Sequence, residues 1–431
     1  MPTPRLLNDS PSRRQFLKSS TVAGAAVGAS VHLGLARSVH AAQSETLKIG
    51  LVGCGGRGTG AAVNATSADP NTRLTAMADL FPDQLEKSKK ILSRRLGEKF
   101  AVTPEQSFTG FDACEKLMQT DVDVVLLAAP PHFRPAHLAA AVEAGKHIFC
   151  EKPVAVDGPG CRSVFATSKK ASEKKLSLVS GLCWRYDLGV RATIDKIQSG
   201  AIGDVVAIQE NYLAGTLWHR GRQPDWSDME FQCRNWLYFN WLSGDHINEQ
   251  HIHSLDKAMW LNGDEPPVSC VGLGGRQVRT EERFGDIYDH HAVCFDFPKT
   301  KVFAYTRQMR GTKNDVDDYV YGASGKATVL RNTVETKDGD VWKYSGPTVS
   351  MYDQEHIEMF KSIRSGEPIN NGDYMTKSTL MAVMGRMACY TGQEITWEMA
   401  LNSQETLGPA KYEWGEAPEV KVAMPGVTKF V

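Results

Sequence analysis

The chain has 431 residues, 42% hydrophobic and 23% charged, with 49 Lys and Arg against 50 Asp and Glu. That length and composition describe a globular chain with a full core and room for two domains. The near-zero net charge offers neither the basic excess of a nucleic-acid binder nor an acidic solvating arm. The nine cysteines form no C-x-x-C and are odd in number, which argues against a zinc ribbon, a thioredoxin site or a fully paired disulfide framework.

The first stretch reads as a targeting segment. Ser12-Arg13-Arg14-Gln15-Phe16-Leu17-Lys18 is followed by small and apolar residues from Thr21 to Leu35, then by Ser38-Val39-His40-Ala41-Ala42. This is the layout of a twin-arginine signal peptide over residues 1–42, cut near Ala41 or Ala42. The apolar part is too short and too rich in Gly and Ala to be a comfortable spanning helix. The expectation is a protein that uses the twin-arginine export machinery, crosses folded, and ends in the periplasm or outside the cell.

From Leu47 the pattern changes. The apolar run Ile49 to Val52 ends in Gly53, Gly55 and Gly58, spaced G-x-G-x-x-G, with Gly56 and Arg57 inside the turn. A strand turning into a helix through such glycines lets backbone approach a pyrophosphate at the helix N-terminus. The next apolar run closes on Asp79, where a ribose-binding carboxylate belongs. An acidic side chain there accepts from a 2′-hydroxyl and repels a 2′-phosphate, and Leu80 and Phe81 after it carry no positive charge. NAD is therefore favoured over NADP, with Arg57 as the counter-argument. Phe81 to Leu96 reads as a helix, Val122 to Ala128 as a buried strand stopped by Pro130 and Pro131, His137 to Ala144 as a helix, and His147 to Cys150 as a strand. Strands alternating with helices predict a doubly wound parallel sheet, binding its ligand at the carboxyl ends of the strands. Lys152 follows the last of these strands, so it belongs at that edge, within reach of a cofactor ribose and a substrate hydroxyl.

Here the residues carry a family resemblance. A strand ending Ala-Ala-Pro-Pro, followed by HLAAAVEAGKHIFCEKP (137–153), resembles the glucose–fructose oxidoreductase, inositol dehydrogenase and rhizopine-catabolism (Gfo/Idh/MocA) family from Leu47 to about Asp157. The resemblance implies a nicotinamide-binding Rossmann domain over residues 43–183. It implies that Lys152 lies beside the nicotinamide and polarises the reacting oxygen. It also implies cofactor contacts from Ala129, Pro130 and Glu151. His137 matches a histidine common in this segment and is read as structural.

The remainder, residues 184–431, is expected to be an α+β substrate and oligomerisation domain with an open, mostly antiparallel sheet and C-terminal helices packing back on the first domain. Leu176 to Leu182 reads as the last strand of the first sheet. After it, Arg185 and Tyr186 match an aromatic and basic pair that in the family enters the substrate cleft; a domain-linking role is the other reading. Val205 to Asn211 reads as a strand. Ala214 to Tyr238 is rich in Trp, Arg, Asp and Asn, which suits a carbohydrate or, equally, a cover over the sheet. Arg234, Asn235 and Trp236 are its best substrate contacts.

From about Asn248 the pattern predicts a helix with Glu249, His253 and Asp256 on one face. A carboxylate one turn from a histidine orients the imidazole as a general base needs. The family carries Asp, His and Asp at these spacings; here Glu249 replaces the first Asp. His246, Glu249, His251 and His253 do not form H-E-x-x-H or its inverse, so no metal is expected. The expected activity is an exported NAD(P)-dependent oxidoreductase that moves hydride between the nicotinamide and a sugar, glycoside or cyclitol hydroxyl. In that reading Lys152, His253 and Glu249 are catalytic, and His253 also binds substrate. The alternative is an NAD-dependent glycoside hydrolase working by transient oxidation with a tightly bound cofactor. The resemblance also implies a dimer or tetramer paired through the open face of the second sheet.

Overall fold

A computed structural model describes residues 45–431, and Leu47–Val431 forms one compact unit. The twin-arginine segment lies outside the described residues.

The first sheet has six parallel strands in the order β3-β2-β1-β4-β5-β6. They are β1 (Leu47–Val52), β2 (Thr72–Asp79), β3 (Ser107–Thr109), β4 (Val124–Leu127), β5 (His147–Cys150) and β6 (Leu178–Ser180). Helices α1 (Gly56–Ala68), α2 (Pro82–Leu96), α3 (Ala113–Met118), α4 (Arg134–Glu143) and α5 (Gly158–Glu173) connect them. β1 is apolar on both sides because both faces are covered: Ile49 and Leu51 pack in one core cluster and Val52 in another. The strand order reverses beside β1, which pairs β2 on one side and β4 on the other. A crevice therefore opens where the ends of β1 and β4 diverge.

The second sheet has nine strands in the order β14-β13-β12-β11-β7-β10-β9-β8-β15, its outer strands being β12 (Gly325–Thr328), β13 (Thr333–Thr336), β14 (Val341–Lys343) and β15 (Ile395–Thr396). Its centre is β7 (Val205–Ala214), β8 (Ser269–Gly275), β9 (His290–Asp296), β10 (Lys301–Gln308) and β11 (Asp315–Gly322). Pairing is antiparallel except between β7 and β10. Alternation along β10 sets the two faces: Val302, Ala304 and Thr306 are buried under helices, whereas Phe303 and Tyr305 stay exposed. Register places Val271, Leu273 and Tyr321 on the same open face.

After α6 (Leu188–Gln198) and α7 (Asp228–Arg234), the predicted helix from Asn248 is in fact two. α8 (Asp245–Glu249) stops at Gln250, and α9 (Ile252–Leu261) starts after His251. The two long helices of the last third return to the first sheet. α10 (Met351–Ser365) packs on α1 and puts Met359 and Phe360 into its core. α11 (Gly372–Thr391) packs on α5 on one side and on β8 and β9 on the other. It is buried almost all round, as a helix between two layers must be. Among the described residues no helix is long and apolar enough to cross a membrane.

Candidate active site

A cleft of about 370 Å³ opens at the carboxyl ends of β1, β2 and β4, walled on the far side by Trp218, Arg220, Arg234 and Trp236. The glycine turn forms its floor. Gly53 has φ +93°, and a Cβ there would meet the backbone of Ala128 and Ala129 at 2.5 Å. A Cβ on Gly58 would sit 1.9 Å from the Gly53 carbonyl oxygen. Gly55 and Gly56 face open space instead. α1 begins with no side-chain cap and no acidic residue in its first turn, so its leading N–H groups remain for an anion. These features fit a dinucleotide: two glycines close the turn, two leave room for phosphate, and the helix end supplies donors.

Asp79 stands at the end of β2. Its carboxylate accepts from the Cys54 N–H at 2.6 Å and the Phe81 N–H at 2.8 Å. Burial raises its pKa while those two donors oppose the rise. Each oxygen keeps a lone pair for a ribose hydroxyl. Ala129 and Pro130 line the cleft, as does His137, whose ring stacks on Phe133. Arg134 is buried. Its guanidinium donates to the carbonyls of Ala129, Glu151 and Pro153, tying the loops after β4 and β5 together. Sequence reading passed over it because nothing marks an arginine whose partners are all main-chain oxygens.

Several expectations change here. Arg57 lines the cleft, but its guanidinium pairs with Glu151 and with Glu355, the latter at 2.9 Å. It is thus spent on carboxylates and offers little to a 2′-phosphate. The second half, however, brings cations to the ribose end. Arg234 lies 4.0 Å over the Phe81 ring and pairs with Asp83 at 2.9 Å and Glu230 at 2.8 Å. The absence of charge at Leu80 and Phe81 is therefore not the whole environment. Arg234 and Trp236 wall the nucleotide cleft rather than a separate sugar site. Asn235 is fully buried: its Oδ1 accepts from the Arg220 N–H at 2.8 Å and its Nδ2 donates to the Phe231 carbonyl at 3.1 Å. It shapes the segment and has no side-chain atom free for substrate. The C-terminal stretch packs against residues that line the cleft, with Trp414 tilted against the Phe81 and Phe111 rings, and Tyr412 is hydrogen-bonded to His132.

The second centre lies around Lys152. Its Nζ donates to the Glu249 backbone carbonyl at 2.5 Å and to the Glu249 carboxylate at 3.0 Å. Burial works against the charged form, but Glu249 and Glu151 outweigh it and raise the pKa, so the ammonium persists. His253 is close enough to feel that charge. Burial first, then the cations of Lys152, Lys257 and Arg57, hold its pKa well below the ordinary histidine value. The imidazole is therefore neutral at physiological pH. Its Nδ1 is enclosed without a partner.

The orientation expected for this histidine is not found. The break at Gln250 turns Glu249 toward Lys152, so it holds the ammonium and not the imidazole. Asp256 is also elsewhere: its carboxylate takes the Arg185 guanidinium at 2.9–3.0 Å and the Ser378 hydroxyl at 2.8 Å. Arg185 further pairs with Asp264 at 2.6 Å and stacks 3.9 Å over Tyr374. Tyr186 is 3% exposed and donates to the Asn371 side chain at 2.7 Å. Arg185 and Tyr186 thus join α9 to α11, which fits the domain-linking alternative, and neither lines the nucleotide cleft.

Among the described residues one group has a metal-like arrangement, Asp245 with His246 and His291. Its carboxylate already accepts from His246 Nδ1, the Tyr288 N–H and the Tyr390 hydroxyl. That is the pattern of a hydrogen-bonded hub.

Comparison with known proteins agrees with this architecture. Residues 47–178 match the oxidoreductase family with an NAD-binding Rossmann fold (Gfo/Idh/MocA), and residues 10–30 match the twin-arginine translocation signal. Residues 47–178 thus resemble the NAD-binding domain of that oxidoreductase family, in a chain that carries a twin-arginine export signal. It is 28% identical over 248 residues to an inositol 2-dehydrogenase of Rhizobium meliloti, covering 58% of this chain and 64% of that protein. It is 30% identical over 171 residues to a glycosyl hydrolase family 109 protein of Bacteroides thetaiotaomicron, covering 39% of this chain and 35% of that one. The chain thus spans less than two thirds of the length of these relatives. The fold superposes on a Caulobacter crescentus aldose-aldose oxidoreductase at a TM-score of 0.63 and 20% identity, covering 82% of this chain and all of that one.

Proposed function

We propose that this protein is an exported, nicotinamide-dependent oxidoreductase acting on a hydroxyl of a sugar, glycoside or cyclitol. The observation that carries the reading is the buried Lys152 ammonium held by Glu249, whose charge acts on the neutral His253 imidazole, in a chain whose glycine turn floors a separate cleft. Gly53, Gly55, Gly56, Gly58, Asp79, Ala129 and Pro130 would hold the dinucleotide, and Glu151 would act only through Arg57 and the Lys152 N–H. The bound nicotinamide supplies the hydride acceptor. Lys152 Nζ donates to the substrate oxygen and stabilises its developing negative charge. His253 takes the hydroxyl proton; with Nδ1 enclosed, Nε2 is the nitrogen that meets the substrate. Glu249 holds the ammonium in position.

Asp79 supports NAD over NADP, and the relatives named for inositol and aldose chemistry support the substrate class. Export supports the periplasm or the exterior as the place of work. The exposed Val271, Leu273, Phe303 and Tyr305 support a homo-oligomer closed over that sheet face.

The family 109 likeness supports a second reading, a glycoside hydrolase in which oxidation is transient. A panel of glycosides and cyclitols with added NAD separates the two. Accumulating NADH supports the dehydrogenase; sugar release without NADH supports the hydrolase. Neither product from any member would refute both.

A further inference from the structure

Three arginines line the nucleotide cleft, and two are spent. Arg57 is paired with Glu151 and Glu355, and Arg234 with Asp83 and Glu230. The third, Arg220, makes no ion pair and no side-chain hydrogen bond with any described residue; its guanidinium lies 5.0 Å over the Trp218 ring. The position is built and not incidental. Its main-chain N–H is clamped by the side chain of Asn235, itself fully buried and held to Phe231. Burial and the neighbouring Arg234 push the guanidinium pKa down, as expected of a cation without a counter-charge, while Asp83 and Asp79 nearby oppose the shift. Arg220 lines the same cleft as Asp79 and the first turn of α1. A half-buried cation kept without a partner is costly unless an anion completes it.

We infer that Arg220, delivered by the second half of the chain, is a phosphate ligand of the bound dinucleotide. A guanidinium there adds a charge-assisted, two-pronged contact to donors that otherwise all belong to the glycine turn. Arg220 and the first turn of α1 line the same cleft, so a phosphate held by both joins the two halves of the chain. The partner phosphate is either the pyrophosphate, present in both cofactors, or the 2′-phosphate of NADP alone. This inference rests on the dinucleotide reading above.

The test is equilibrium titration of the full chain and of Arg220→Ala and Arg220→Lys with NAD, NADP and adenosine, with a melting curve for each variant. Arg220→Ala should weaken phosphate-bearing ligands by about 10-fold or more, leave adenosine unchanged, and be partly rescued by Arg220→Lys. Weakening shared by NAD and NADP assigns the pyrophosphate; weakening of NADP alone assigns the 2′-phosphate. Unchanged affinity for both dinucleotides, or an equal loss for adenosine, overturns the inference. If Arg220→Ala melts early, Arg220→Gln at wild-type stability gives the same comparison. A wild-type chain that binds neither dinucleotide refutes the function reading instead.

Discussion

The two ends of the site are made of different material. At the nucleotide end the floor is mostly main chain, a glycine turn and the first turn of α1, with one side-chain carboxylate at Asp79, all within residues 53–79. At the reaction end the parts are side chains from distant positions, Lys152 in the loop after β5, Glu249 on α8 and His253 on α9, with Lys152 ion-paired to Glu249. Main-chain sites depend on shape and are ruined by a single methyl group. Side-chain sites depend on charge and are ruined by losing a partner.

The sharpest way to break that contrast is at Gly58. Alanine there puts a Cβ 1.9 Å from the Gly53 carbonyl oxygen, so the turn must shift. Gly58→Ala should lower dinucleotide affinity by about 100-fold and cost about 1–3 kcal/mol of stability. Titration and chemical unfolding check both, and wild-type affinity would show that the turn is not the floor.

At the other end, Arg185→Ala strands Asp256, which is 1% exposed. Removing one partner of a buried pair costs about 3–5 kcal/mol. Urea unfolding should show that loss with the KM for substrate nearly unchanged. The opposite pattern, normal stability with a raised KM, would restore Arg185 to the substrate cleft.

A smaller effect is expected at Asp79, where alanine should relax the preference for NAD over NADP by about tenfold. Competition binding checks it, and unchanged selectivity would move discrimination to the arginines across the cleft.

A further effect is a pH dependence of stability. Burial holds the pKa of His246 to about 4 and that of His356 to about 3. The unfolded chain therefore takes up these protons first, near pH 6.5, while the folded chain stays neutral. Their contribution is intact above pH 6.5 and is lost as pH falls toward 4, by up to about 1.4 kcal/mol per pH unit for each. The unfolding midpoint should thus be lower at pH 5 than at pH 7, and a His246→Gln, His356→Gln variant should reduce that difference without removing it, because His132, His137, His251 and His253 are depressed in the same way.

The same contrast explains what could be read in advance. G-x-G-x-x-G and Asp79 were legible because main-chain sites are written locally, as spacing. Lys152 was legible because it follows a short apolar strand. The second half yielded its sheet, where alternation is plain in β10, but not its pairings. Arg185 and Arg234 look alike in sequence, yet one joins two helices and the other walls the nucleotide cleft, because their partners Asp256, Asp264 and Asp83 are set by tertiary packing. The break at Gln250 left no glycine or proline to mark it. It turned Glu249 from the imidazole to the ammonium.

The claim that Lys152 and His253 form one reacting centre is best tested by single-turnover spectroscopy at 340 nm with cofactor-loaded protein. Both the dehydrogenase and the hydrolase reading require that first oxidation, so the measurement does not depend on the net product. Lys152→Ala and His253→Ala should each slow the absorbance rise by about 10²–10⁴-fold while the cofactor stays bound. A rise at the wild-type rate in either variant would contradict the shared centre.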